Sequence, residues 1–332
     1  MTIELYVDEK TATRVVGWAR ESDYPNLNVV VEILADGKPL ARIIADEYRA
    51  DLHKAGIGNG KYAFSYVPSS PIAADSKTIS AVVVGFHVPK HSPPRPRGPI
   101  PPAALRARVA GTEDEKWFDA SGQMTADEWT RALKCFNVDI TRFDVVADFG
   151  CGCGRALRHL EARLEPRQRL IGMDVDHEAI AWVAANYPGV STIPLQNEPP
   201  IPLDDASVDL IVSHSVFTHL PEDLQFLWLH ELWRILKPEG VLIASIHGAK
   251  VIDEFAPSLG SGSKAFLEEI AAHGFSYYQA KTSAEASLPE YYGLAFHTID
   301  YINMRWTPKF KVRAWLPVFA LSHQDVLVLQ KK

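Results

Sequence analysis

The sequence predicts a doubly wound α/β domain with an all-β, sandwich-like module in front of it, on three observations. Val145, Val146, Ala147, Asp148 and Phe149 form an apolar run that opens into glycines at alternate positions, Gly150, Gly152 and Gly154, before Arg155. That pattern describes a buried parallel strand turning sharply into a helix, with glycine where φ is positive or where a ligand nears the backbone. About 20 residues on, a second short apolar strand closes on Asp174, whose carboxylate can accept both hydroxyls of a ribose. The third observation is a proline belt at 89–102, which sustains neither a helix nor a central strand.

The belt separates residues 1–88 from 103–332. Ahead of it, residues 15–19, 28–34, 40–45, 62–67 and 79–86 read as short strands, and Asp36-Gly37 reads as a hairpin turn. Strands at this spacing suggest a small sandwich. Trp18, isolated in its strand, reads as a core residue rather than a platform for a sugar ring.

Behind the belt, 103–143 turns helical, with one segment at 104–109 and a second at 125–135 that Thr125 can cap. Residues 144–247 carry the alternating strands and helices: a helix at 155–164, the proline-rich turn after Asn197, a strand at 208–213, and then His214 to Leu220. Trp228, Leu229, Leu232, Trp233 and Leu236 recur at the spacing of a buried helix face. Lys237-Pro238-Glu239-Gly240 turns the chain into a strand at 241–246. Within 248–332, where the acceptor would be recognised, 310–316 and 325–329 read as the final antiparallel pair of the sheet.

This order of pieces resembles the class I S-adenosylmethionine-dependent methyltransferases of the bacterial small-molecule type. The alternated glycines are similar to that family's motif I and differ from the dinucleotide fingerprint, which needs glycine or alanine where Arg155 stands. The resemblance implies a Rossmann-like sheet and S-adenosyl-L-methionine as cofactor. It places Asp148, Gly150, Cys151, Gly152, Gly154, Asn197 and Ser213 around the cofactor, Asp174 on its ribose, and Val175 and Asp176 beside its adenosine. Phe118 and Gly122 would belong to helices folded over the cofactor; a satellite hydrophobic cluster is the alternative. The N-terminal pieces Gly17-Trp18-Ala19, Asp36-Gly37, 49–52 and Ala55-Gly56 resemble an accessory β-domain attached to surface-polysaccharide enzymes. That implies polysaccharide biosynthesis as the setting and a glycan or a protein as a partner of the module.

Composition narrows the classes. A chain of 332 residues with 47% hydrophobic content can bury two cores. Net charge of −7 without a long basic block argues against nucleic acid, whose binding rests on phosphate neutralisation. Residues 213–216, Ser-His-Ser-Val, also differ from the Asn-Pro-Pro-Tyr type motif of methyltransferases acting on base amines. Two of the three cysteines sit inside the glycine loop, without a second ligand pair at zinc spacing, so neither a disulfide framework nor a metal site is expected. No run reaches membrane-spanning length and the N-terminus lacks a secretion pattern, so a cytoplasmic location is expected.

A sulfonium methyl is already activated, so the protein has to align an acceptor and exclude water. An amine or phenolate needs little more, whereas a sugar hydroxyl benefits from a positioned base. Ligands sit at the carboxyl ends of strands in this architecture, which singles out His247 and His214, then His219 and His297. His247 should emerge at the rim of the sheet, where the alternative to a base is that it only caps its strand or hydrogen-bonds the methionine carboxylate. His219 is also open to a capping or core role. The expected reaction is methyl transfer to a hydroxyl of a saccharide or related small molecule. N- or C-methylation of a metabolite or lipid, and a binding protein without turnover, are the alternatives.

Overall fold

The computed structural model describes residues 2–22, 28–68, 71–72, 78–86, 98–134, 138–279, 289 and 291–332, and the chain divides into two compact units, 1–89 and 90–332. Residues 87–97, which include most of the proline belt, lie outside the described residues, as does Cys135.

The first unit holds β1 (Ile3–Lys10), β2 (Val15–Glu21), β3 (Val29–Ala35), β4 (Lys38–Ile44), β5 (Glu47–Tyr48), α1 (Ala50–Lys54), β6 (Lys61–Tyr66) and β7 (Ile79–Phe86). They form two antiparallel sheets, ordered β1-β2-β6-β5 and β4-β3-β7, packed on each other. Alternation drives the packing: Val29, Val31 and Ile33 are fully buried at every second position of β3. β1 was not expected. It is an edge strand with no fully buried side chain, so its apolar alternation is faint in the sequence. Trp18 is buried under α1 beside Leu52 and Tyr62, and stacks on Tyr6 at 4.7 Å.

The second unit begins with α2 (Ala103–Ala110) and α3 (Glu115–Lys134). Strands β8 (Val145–Phe149), β9 (Arg169–Asp174), β10 (Val190–Pro194), β11 (Val208–Ser213) and β12 (Leu236–Ile246) alternate with α4 (Leu157–Glu161), α5 (His177–Asn186) and α6 (Glu222–Ile235). Then follow α7 (Ala249–Phe255), α8 (Ser263–His273), β13 (Phe275–Tyr278), β14 (Leu294–His297), α9 (Ile299–Arg305), β15 (Phe310–Ala320) and β16 (Gln324–Lys331). The seven-stranded sheet runs β10-β9-β8-β11-β12-β16-β15. Its first five strands are parallel, and β16 enters antiparallel between β12 and β15, as the final pair was expected to do. The chain leaves β8 in one direction and returns at β11 in the other, so the loops after these two strands part and leave a crevice.

Several expectations need correction. Thr125 caps nothing, because α3 is one continuous 20-residue helix and Thr125 sits buried in its middle, donating to the Ser121 carbonyl. Gly122, outside the two helical segments expected at 104–109 and 125–135, is inside α3, where a Cβ would stand 2.0 Å from the Arg155 carbonyl oxygen. Glycine therefore marks a backbone contact there rather than a break. The helix expected at 155–164 shrinks to α4, since the tight turns of the glycine loop persist to residue 156. Lys237 to Gly240 form a bulge inside β12, between the pairs Val208–Leu236 and Leu210–Val241.

Candidate active site

The crevice opens into a cavity of about 650 Å³, within the range of small-molecule sites. Its floor is the glycine loop. Gly150, Gly152 and Gly154 have φ of 84°, 53° and 88°, and a Cβ on each would strike Val216, Val109 and Tyr187 respectively. Asp174 fastens this loop to β9: one carboxylate oxygen accepts the Gly152 N–H at 2.6 Å and the other accepts the Asp176 N–H at 2.8 Å. Asp176 in turn caps α5 through the N–H groups of Glu178 and Ala179 and pairs with Arg108 at 2.6 Å.

Asp148, Gly150, Cys151, Gly152, Asp174, Val175, Asp176, Asn197, His214 and His219 line this one cavity. Six expected residues do not. Gly154 backs onto the Tyr187 ring, Gly122 onto Arg155, and Ser213 is buried at the end of β11. Phe118 is fully buried with Leu105, Cys153 and Ala179, which is the satellite-cluster alternative. His297 is buried, its Nε2–H donating to the side-chain Oε1 of Gln225 at 3.0 Å; the Nε2 of the same Gln225 amide donates to the Phe217 and Leu220 carbonyls and so braces the loop after β11. His247 does not emerge at the rim. β14 lies along the end of β12, with the His297 N–H on the His247 carbonyl, and leaves the imidazole 6% exposed between Phe296, His219 and His323.

Burial sets the electrostatics. It pushes Asp148 up to about 8, helped by the charge of Asp174, and raises Asp174 to about 6 against the pull of the backbone N–H groups of Asp176, Gly152 and Val175. The Cys153 thiol is pushed up to about 12 and Cys151 well above its usual value, so both are inert thiols. Burial pulls His247 and His297 down to about 3 and His214 well below the ordinary range.

His219 is placed differently. Its Nδ1 stands 2.8 Å from the Gly293 carbonyl oxygen, which can only accept, so the proton resides on Nδ1 and Nε2 carries the lone pair. Tyr292 stacks on the ring at 4.2 Å and holds its plane. Nε2 approaches the Ser215 hydroxyl at 3.4 Å. Ser215, in left-handed backbone at φ 60°, is tied through its N–H to Ser245 and through its Oγ to Gln324.

The expectations missed Arg108, Trp129, Arg155, Ser215, Tyr291 and Tyr292, all of which line the cavity. Arg155 was legible as the residue closing the glycine loop. Nothing in the local pattern marks Tyr291 or Tyr292, which reach the site from about 70 residues beyond His219.

A glycine loop and an acidic strand end meeting in a switch-point crevice define a doubly wound α/β protein of the nucleoside-ligand kind. Residues 147–244 match the family model described as a methyltransferase domain. A probable S-adenosylmethionine-dependent methyltransferase of Mycolicibacterium smegmatis is 38% identical over 100 residues, 30% of this chain and 37% of its own length. Another from Mycobacterium tuberculosis is 31% identical over 174 residues, 48% of this chain and 56% of its own. A SAM-dependent methyltransferase structure from Aquifex aeolicus aligns with 65% of this chain and 96% of its own at 17% identity and a TM-score of 0.41. The chain thus spans about half the length or less of these curated relatives. It carries a class I S-adenosylmethionine-dependent methyltransferase domain, and the cofactor of that family is S-adenosylmethionine. The residues fit it: Asp174 keeps lone pairs at the cavity wall, the glycine loop bares backbone, and the volume suits a nucleoside with an amino-acid tail.

Proposed function

We propose that this protein transfers the methyl group of S-adenosylmethionine to a hydroxyl of a saccharide or a related small molecule, with His219 as general base. The fixed tautomer of His219 carries this reading. A hydroxyl must lose its proton as the new bond forms, and an Nε2 lone pair on the cavity wall is the group that can take it. The Gly293 carbonyl then stabilises the imidazolium through Nδ1–H, and Tyr292 keeps the ring from turning. The donor supplies an activated methyl; Asp174, Asp148 and the glycine loop would hold it, and Trp129, Trp228 and Tyr291 would keep water away from it. His247, buried and weakly basic, stands behind His219 at 6.1 Å and supports it by packing. The hydroxyl comes from the base; the saccharide comes from the likeness of residues 1–88 to modules of polysaccharide enzymes, which also makes the β-unit a candidate contact for a glycan or a partner protein.

Among the described residues no helix is long and apolar enough to cross a membrane. A cytoplasmic site of action fits a reaction fed by S-adenosylmethionine. Incubating the protein with methyl-labelled donor and a panel of hydroxylated acceptors tests the reading. Label should appear as a methyl ether and depend on His219; transfer to amines or carbon alone, or retention without transfer, refutes it.

A further inference from the structure

The loop after β11 faces two spaces. A second cavity, of about 230 Å³, shares Arg155, His214 and Ser215 with the first and reaches Trp117, Ser121 and Leu321 beyond them. Two of these residues are held in backbone that side chains seldom adopt: Ser215 and Leu321 have φ of 60° and 49°. Partners far along the chain keep them there, the Ser215 N–H donating to the Ser245 hydroxyl and the Leu321 N–H to the Glu128 carboxyl. Such strain persists where the surroundings over-determine a geometry, which marks the second cavity as a built site rather than a packing gap.

Its lining combines two chemistries. Val109, Ala110, Leu321 and the ring of Trp117, which is 48% exposed, supply apolar surface. Ser121 supplies an acceptor, because its hydroxyl proton is spent on the Phe118 carbonyl, while Ser215 and His214 add polar groups where the two cavities join. A pyranose ring has the matching halves, C–H groups on its faces and hydroxyls around its rim. An aromatic plane takes the first and fixed polar groups take the second. Other acceptors match less well. Among the described residues no Asp or Glu lines this cavity and Arg155 does, so an ammonium group finds no counter-charge. An acyl chain would strip water from the hydroxyls of Ser121 and Ser215 and return no hydrogen bond.

We propose that the second cavity seats the sugar ring that carries the reacting hydroxyl, with Trp117 as its platform. The inference deepens the methyl-transfer reading and rests on it. Ser215 sets the path: it lines both cavities and its Oγ stands 3.4 Å from His219 Nε2, so a ring hydroxyl beside Ser215 comes next to the base. There the hydroxyl oxygen bonds the methyl carbon, the carbon–sulfur electron pair returns to sulfur, and the proton passes to Nε2. Saturation-transfer NMR on the full-length protein with S-adenosylhomocysteine bound tests the seat. The probes are methyl glucoside, methyl mannoside and methyl rhamnoside, with glycerol as a molecule that has hydroxyls and no ring face. At least one glycoside should bind through its ring C–H groups; Trp117→Ala should weaken it by ~10-fold or more, the scale of a lost aromatic face, and Trp117→Tyr should recover part. Calorimetric affinity for S-adenosylhomocysteine should stay within about twofold in both variants, since Trp117 does not line the first cavity. A glycoside held equally by wild type and Trp117→Ala, glycerol bound as tightly as the glycosides, or a parallel loss of S-adenosylhomocysteine affinity overturns the proposal and leaves hydroxyl methylation standing. Absence of glycoside binding overturns it too, and methyl-ether formation from labelled donor then decides separately whether hydroxyl transfer survives. Failure of wild type to bind S-adenosylhomocysteine overturns the methyl-transfer reading instead, and the glycosides titrated into the free protein still decide the seat.

Discussion

The two walls of the cavity are built in opposite ways. On one side, the glycine loop, Asp148, Asp174 and Asp176 all come from 29 consecutive residues, 148–176, and the contacts that shape them are backbone to side chain. On the other, His219 is held by the carbonyl of Gly293 and the ring of Tyr292, and Ser215 by Ser245 and Gln324, partners 30 to 109 residues away. The first wall is therefore a local motif and the second an assembly. A local motif tolerates change elsewhere in the chain, whereas an assembly depends on every segment that reaches it.

The sharpest break in this comparison is on the assembled side. His219→Gln should lower turnover by ~10²- to 10⁴-fold while donor affinity stays within about twofold, the pattern of a lost general base. His247→Gln should cost far less, because that ring does not reach the cavity. Initial rates with labelled donor check both, and comparable losses would place the base at His247.

On the local side, Asp174→Ala should weaken S-adenosylhomocysteine by ~1.5–3 kcal/mol, the range for hydrogen bonds to a charged acceptor. It also frees the Gly152 N–H, so the melting temperature should fall together with affinity. Unchanged calorimetric affinity in a folded variant would remove Asp174 from the site.

Gly122→Ala probes where the helical cover meets the loop. With its Cβ 2.0 Å from the Arg155 carbonyl oxygen, it should destabilise the fold by ~1–3 kcal/mol, because backbone rather than a flexible side chain has to yield. Denaturant unfolding measures this, and a variant as stable as wild type would show that α3 slides freely over the loop.

The smallest effect concerns Glu128, whose pKa is raised to about 8 by burial. A carboxyl with a raised folded pKa stabilises fully below its unfolded value, near 4.5, and loses that contribution as pH rises through the folded value. Glu128→Gln, which keeps an acceptor for the Leu321 N–H, should gain on wild type between pH 5 and pH 8 by at least about 1 kcal/mol. A pH-independent difference in melting temperature would show that Glu128 is ionised in the folded protein.

The sequence by itself determined the alternation of strands and helices, the glycine loop, the acid at the end of β9 and the closing antiparallel pair. Each is a short-range pattern in which spacing alone fixes backbone shape or burial, as the positive φ of Gly150, Gly152 and Gly154 illustrates. Tertiary structure decided the histidines. All four sit near strand ends, so spacing ranks them alike, but β14 buries His247 while the Gly293 carbonyl fixes the His219 proton. It also decided that Gly122 continues a helix and that Arg155 lines two cavities. Such outcomes depend on which distant segment covers a residue, and coverage is a property of packing between elements that periodicity along the chain does not encode.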